Sequence, residues 1–229
     1  VIEVSELHSW DVGCGEAKDI QDRLKERLVL SPSAKEITLV AGADVSFSVS
    51  DKEMLLGAVV VLRFPELSVV EEVVSSRRVR FPYVPGYLSF REAPPLIETF
   101  RRLTCRPDLV IFDGQGIAHP RGLGLASHMG LTLGTPSIGC AKSRLVGEHD
   151  EPGEKVGSMT PLKFKGREIG AVVRTRENVK PVYVSPGHLI DTAGSVDMIL
   201  KCVTRFRLPE PIRMAHRLTR RARLGEVGV

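Results

Sequence analysis

At 229 residues with 42% hydrophobic side chains, the chain is long enough for one α/β domain over residues 1–229 and short for two independent cores. Its 32 Lys and Arg against 28 Asp and Glu give a formal charge of +4 and a pI near 9.0, a modest leaning towards a polyanionic partner. The longest apolar run, residues 55–62, is too short to span a membrane, VIEVSELHSW has no secretion-signal pattern, and Cys14, Cys105, Cys140 and Cys202 form no CxxC or zinc spacing, so a soluble, reduced, cytoplasmic protein is expected.

In chain order, residues 16–29 place Ile20, Leu24 and Leu28 at i, i+4, i+8, which predicts an amphipathic helix packed on a sheet. The stretch ITLVAGADVSFSVS alternates Ile37, Leu39, Ala41, Ala43, Val45 and Phe47 on one face with Asp44 on the other, as a strand does. LLGAVVVLRF and LSVVEEVVSSRRVRF follow closely around Pro65, so three consecutive antiparallel strands are predicted. After a proline-rich loop, residues 94–105 read as a helix with Leu96, Ile97, Phe100 and Leu103 inward. DLVIFDGQG is apolar between turn signals, which suits a strand buried on both faces. A helix over 123–133 and a strand at PSIGCAKS complete a βαβ unit with parallel strands. A hairpin turns at Lys165-Gly166, a strand covers 182–184, and helices over 192–206 and 209–224 close the chain. This order, with one Asp on the first strand and another ending the fourth, is the layout of a ribonuclease H-like fold: a mixed central sheet flanked by helices.

Three segments carry chemistry. Asp44 and Asp113 sit in otherwise apolar strands, where an unpaired charge is costly. A shared cation would offset that cost, and Mg2+ is commonly held by one or two carboxylates with water and phosphate oxygens. The alternative is that each Asp caps a turn. FPYVPGYLSFRE, residues 81–92, stiffens a tip at Tyr83 and Val84 between two prolines, suited either to insertion into a base stack or to covering the core. DGQGIAHPRGLGLASHMG, residues 113–130, runs glycines into a helix start, either to let backbone approach an anion or base closely or as a plain turn. It matches neither GxxxxGK[ST] nor GxGxxG. Residues 201–223 hold eight basic side chains against Glu210 alone, a solvated face or a phosphate-binding one.

Together with AGADVSF, PSIGCAKSRLVG, PVYVSPGHLIDT and PIRMAH, these segments closely resemble the endonuclease V family of deaminated-base repair nucleases over nearly the whole chain. The resemblance implies a ribonuclease H-like fold and Mg2+-dependent hydrolysis, with Mn2+ able to substitute, of the second phosphodiester bond 3′ to hypoxanthine in DNA, leaving 3′-hydroxyl and 5′-phosphate ends. It implies Asp44 and Asp113 as direct metal ligands, with Glu92 and His216 acting close to the ion. Tyr83 would be the wedge, and Arg91, His119 and Lys142 would lie near the scissile phosphate. A base pocket built largely from backbone maps onto Gly86, Leu88, Gly114, Gln115, Gly124 and Leu125; fixed N–H and C=O groups can separate hypoxanthine, with its O6 acceptor and N1–H donor, from adenine. Gln115 stands between two glycines where members of the family commonly have His or another residue. A monomer without a membrane partner is expected, and inosine-containing RNA and a non-catalytic nucleic-acid-binding module are the competing readings. His188 is left outside the catalytic set.

Overall fold

The structure, a computed structural model, describes residues 2–32, 36–49, 51 and 53–228. Eight strands form one mixed sheet in the order β3-β2-β1-β4-β5-β8-β7-β6. β1 (Leu39–Phe47), β2 (Met54–Arg63) and β3 (Ser68–Arg78) make the antiparallel meander that the sequence predicts. β4 (Leu109–Phe112) lies parallel to β1, and β5 (Ser137–Ala141) parallel to β4. The hairpin of β6 (Met159–Phe164) and β7 (Arg167–Val173) joins through β8 (Val182–His188), which runs antiparallel to β5 and is longer than the three residues expected.

Strand parity sorts the core. Ala41, Ala43, Val59, Val61, Val110 and Phe112 point to the face covered by α2 (Leu88–Arg102) and α3 (Leu125–Leu133). Val40, Leu56, Ala58, Val60, Leu109 and Ile111 point to the face covered by α4 (Thr192–Lys201) and α5 (Glu210–Arg223). Both faces are covered, so β1 is buried on both sides until it reaches Asp44, and the alternation that its sequence suggests is that of two cores. Asp44 shares the parity of Val40 and therefore faces α5.

Two expectations are corrected. The helix placed at residues 94–105 begins at Leu88, so Arg91 and Glu92 are helical, one turn before Pro94 and Pro95. Prolines are favoured at a helix start, which is why the sequence pattern put the start there; here two backbone donors are given up inside the helix, and the Pro95 carbonyl accepts from Ser75 Oγ and Thr99 Oγ1. The first helix, α1 (Cys14–Leu24), does not lie on the sheet. Its apolar residues Ala17, Ile20 and Leu24 belong to a cluster with Leu55, Phe81, Phe90, Leu123 and Leu131, so α1 supports the loop before α2.

Candidate functional site

Pairing of parallel neighbours β1 and β4 sets Ala43 beside Phe112, and the Asp113 N–H points at the Ala43 carbonyl at 3.4 Å. Asp44, the next residue on β1, and Asp113, the first residue past β4, thus emerge side by side. α5 reaches Asp44 because Gly42 has no side chain: a Cβ there would stand 1.9 Å from the Pro211 carbonyl oxygen. Asp44 Oδ2 then accepts from Thr219 Oγ1 at 2.7 Å and pairs with His216 Nδ1 at 3.1 Å. Thr219 was not singled out by sequence, although its place three residues after His216 puts both on one helix face. Lys142, just past β5, pairs with Asp113 Oδ2.

Glu92 approaches from α2. Its removal from solvent, then the charges of Asp44 and Asp113, push its carboxyl up to about 8, against a smaller opposing pull from Arg91. Burial likewise raises Asp44, followed by the charge of Asp113, while Thr219 and His216 work the other way. Three mutually repelling carboxylates form a donor set that a hard divalent cation fits. Among the described residues no three acidic, His or Cys side chains close into a coordination cage, and the Lys142 ammonium occupies part of the Asp113 carboxylate. The arrangement therefore suits an open site, with one or two carboxylates and the remaining positions left to water and ligand oxygens.

Beside the carboxylates lies a cavity of about 320 Å³, bordered by Tyr83, Gly86, Leu88, Gly114, Gln115, His119, Gly124 and Leu125, and also by Asp113 and Lys142. Eight of the nine residues assigned to nucleic acid from sequence thus surround one space that opens on the carboxylates. Tyr83 is 72% exposed at the loop tip. The loop is held by one carbonyl: Gly86 O accepts from Gln21 Nε2 and His119 Nε2, both at 3.0 Å, and from Arg121 Nη2. Gly86 has φ +82°, a conformation that favours glycine. What Gly86 offers a ligand is therefore its N–H and its shape, since its carbonyl is engaged.

His119 uses Nε2–H on Gly86 and accepts the Arg121 N–H at Nδ1, which defines a neutral ring. Burial, and then the Arg121 charge, lower it to about 4. It shapes the pocket rather than carrying a charge into it. Arg91 is the ninth residue and does not border the cavity; its Nη1 donates to Phe81 O at 2.6 Å and anchors the start of the loop. Gln115 Nε2 donates to Ser143 O at 3.1 Å, its Oε1 is buried without a partner, and its carbonyl accepts from Ala126. Ser143, Arg144 and Leu145 complete the far wall, and sequence reading had not separated them from the surrounding segment. His188 meets the Val29 N–H at 3.3 Å, away from this cavity.

A sequence model of the endonuclease V family matches residues 22–217. Endonuclease V of Kosmotoga olearia is 50% identical over 218 residues, 95% of each chain. The solved endonuclease V of Bacillus subtilis superposes with a TM-score of 0.93 at 33% identity, covering 98% of both chains. That of Ciona intestinalis, in complex with a 24mer DNA containing an inosine followed by a ribo-adenosine, gives 0.82 at 28% identity, covering 93% of this chain and 98% of the other.

Proposed function

The chain belongs to the endonuclease V family, a family of nucleases with a ribonuclease H-like fold, and from that premise we propose that it is a Mg2+-dependent endonuclease that nicks DNA at the second phosphodiester bond 3′ to hypoxanthine. The observation that carries this reading is the shared border: Asp113 and Lys142 belong both to the carboxylate cluster and to the wall of the 320 Å³ cavity, so one extruded base and one nearby phosphate fit together. The DNA complex of the Ciona intestinalis relative, with its inosine, supports the same substrate class.

In this reading Tyr83 fills the gap left by the extruded base, and Leu88, Gly114, Gln115, Gly124 and Leu125 enclose that base. Asp44 and Asp113 would hold Mg2+, with Glu92 near it. When bound, the ion would supply electrophilic stabilisation of the phosphate and favour a deprotonated water nucleophile. His216 and Thr219 keep Asp44 in one orientation. The Lys142 ammonium, which pairs with Asp113, is the group that would turn to a phosphate oxygen and offset developing negative charge there.

An end-labelled deoxyinosine duplex incubated with Mg2+ tests this directly, because product length reports both activity and position. The expected product ends one nucleotide 3′ of the inosine, with a 3′-hydroxyl; a cut at the adjacent bond, or base release without a nick, contradicts it. Asp44→Ala and Asp113→Ala should abolish nicking while circular dichroism remains native, and near-normal turnover by either folded variant removes that residue from the metal role. A second substrate reading, inosine-containing RNA, is favoured by the ribo-adenosine that follows inosine in the relative's complex. Matched strands with deoxyribose or ribose at that position decide it.

A further inference from the structure

A second cavity, of about 430 Å³, lies on the α5 side of the carboxylates. Lys142 and His216 form its catalytic edge, and Phe206, Leu208, Arg213 and Arg217 line the space beyond. Arg207 also borders it, with Nη2 donating to the carbonyls of Lys142 and Pro181 at 2.7 Å each, so its wall is tied to the segment that carries Lys142. Lys142, Arg207, Arg213 and Arg217 bring positive charge to this wall, and among the described residues no carboxylate-bearing one lines it.

The cations differ in availability. The Arg213 guanidinium lies 3.4 Å from the Phe206 ring centroid, and its Nη1 donates to Glu210 Oε2 at 2.6 Å, so it is both fixed and partly neutralised. Arg217, one residue after His216, makes no hydrogen bond or ion pair among the described residues and is exposed. A free guanidinium beside an apolar wall of Phe206 and Leu208 matches a ligand with a phosphate at one end and a sugar and base at the other. A small inorganic anion would leave the apolar wall unused.

Position identifies that nucleotide. The first cavity, which in the reading above takes the lesion base, shares Lys142 with the second, and His216 also borders the second. A strand entering through the first and crossing the carboxylates leaves through the second. We propose that this cavity seats the nucleotide immediately 3′ of the cut, the one that keeps the new 5′-phosphate, and that Arg217 binds the phosphate following it. The inference rests on the endonuclease reading above and adds to it a downstream subsite.

The test uses two deoxyinosine duplexes identical except at the first linkage 3′ of the scissile one, which is either a phosphodiester or an uncharged methylphosphonate. With wild-type protein, KM is expected to rise about tenfold on the neutral linkage, the loss of one charge-assisted contact, with little change in kcat. Arg217→Ala should raise KM on the natural duplex by a similar factor, lower the slope of log KM against log salt by about 1, and no longer distinguish the two duplexes. Arg217→Lys, which keeps the charge, should restore the discrimination. Because Arg217 is exposed and makes no hydrogen bond or ion pair among the described residues, the variants keep their fold, which circular dichroism verifies. Equal KM values for wild type on both duplexes, or undiminished discrimination by Arg217→Ala, overturn the subsite. Failure of wild type to nick even the natural inosine duplex overturns the endonuclease reading instead.

Discussion

Glu92 illustrates what a single side chain gains from its surroundings. Its ordinary carboxyl value of 4.5 rises to about 8, so between those values the folded protein holds a proton that the unfolded chain has released. The linkage is therefore unfavourable at high pH: in metal-free protein the contribution is fully present below pH 4.5 and is lost as pH rises through 8. A cation binding among the carboxylates reverses this, so the gain in Tm on adding Mg2+ should be larger at pH 8 than at pH 5. Scanning fluorimetry of wild type and Glu92→Gln checks it; the pH dependence of the gain should shrink in the variant, and identical behaviour would separate Glu92 from the cation. At the same scale, Thr219 donates to Asp44, and Thr219→Ala should lower Mg2+ affinity or activity about ten- to a hundredfold with the fold intact.

Between elements, the decisive contact is α5 on β1. Gly42 lets the backbone at Pro211 approach where any side chain would collide, and this is what brings His216 and Thr219 to Asp44. Gly42→Ala should cost about 1–3 kcal/mol through overpacking and, by lifting α5, reduce kcat more than KM. Thermal melts and steady-state kinetics report both effects, and a variant that melts lower with unchanged kcat would show that α5 does not position Asp44. The loop before α2 is built differently, from three donors converging on the Gly86 carbonyl, so its placement depends on side chains from α1 and from the segment before α3.

Across the molecule, half-buried His8 and fully buried His128 connect the amino-terminal segment to the site. His8 Nδ1–H donates to Ser9 O at 2.6 Å, the two ring nitrogens His8 Nε2 and His128 Nε2 share one hydrogen bond at 2.7 Å, and His128 Nδ1 shares another with Ser89 Oγ at 3.1 Å, so the two facing Nε2 atoms cannot both carry a proton. Burial holds His128 well below the ordinary 6.5, and His119 lies at about 4. Below pH 6.5 the unfolded chain takes up protons that the folded protein refuses, so stability should fall as pH drops from 6.5 towards 4, by up to about 1.4 kcal/mol per pH unit for each such histidine. Denaturant titrations over that range measure the slope, and His128→Asn should flatten it; an unchanged slope would assign acid lability to other groups. No helix among the described residues is long and apolar enough to cross a membrane.

Residue order by itself determined the element sequence, the meander followed by a βαβ unit, and the pairing of Asp44 with Asp113, because each depends on local periodicity and on strand ends that carry charge into apolar surroundings. The resemblance to the family supplied Glu92, His216 and the pocket residues, which no local pattern distinguishes from ordinary helix and turn positions. Only tertiary structure decided that α2 begins at Leu88, that α1 braces the loop instead of the sheet, that Arg91 and His119 hold backbone carbonyls, and that Thr219 joins Asp44. The physical reason is common to these cases. Two prolines inside a helix, a buried neutral histidine and a glycine under a crossing helix are each tolerated only because groups distant in sequence satisfy or make room for them, and a single stretch of chain carries no trace of those partners.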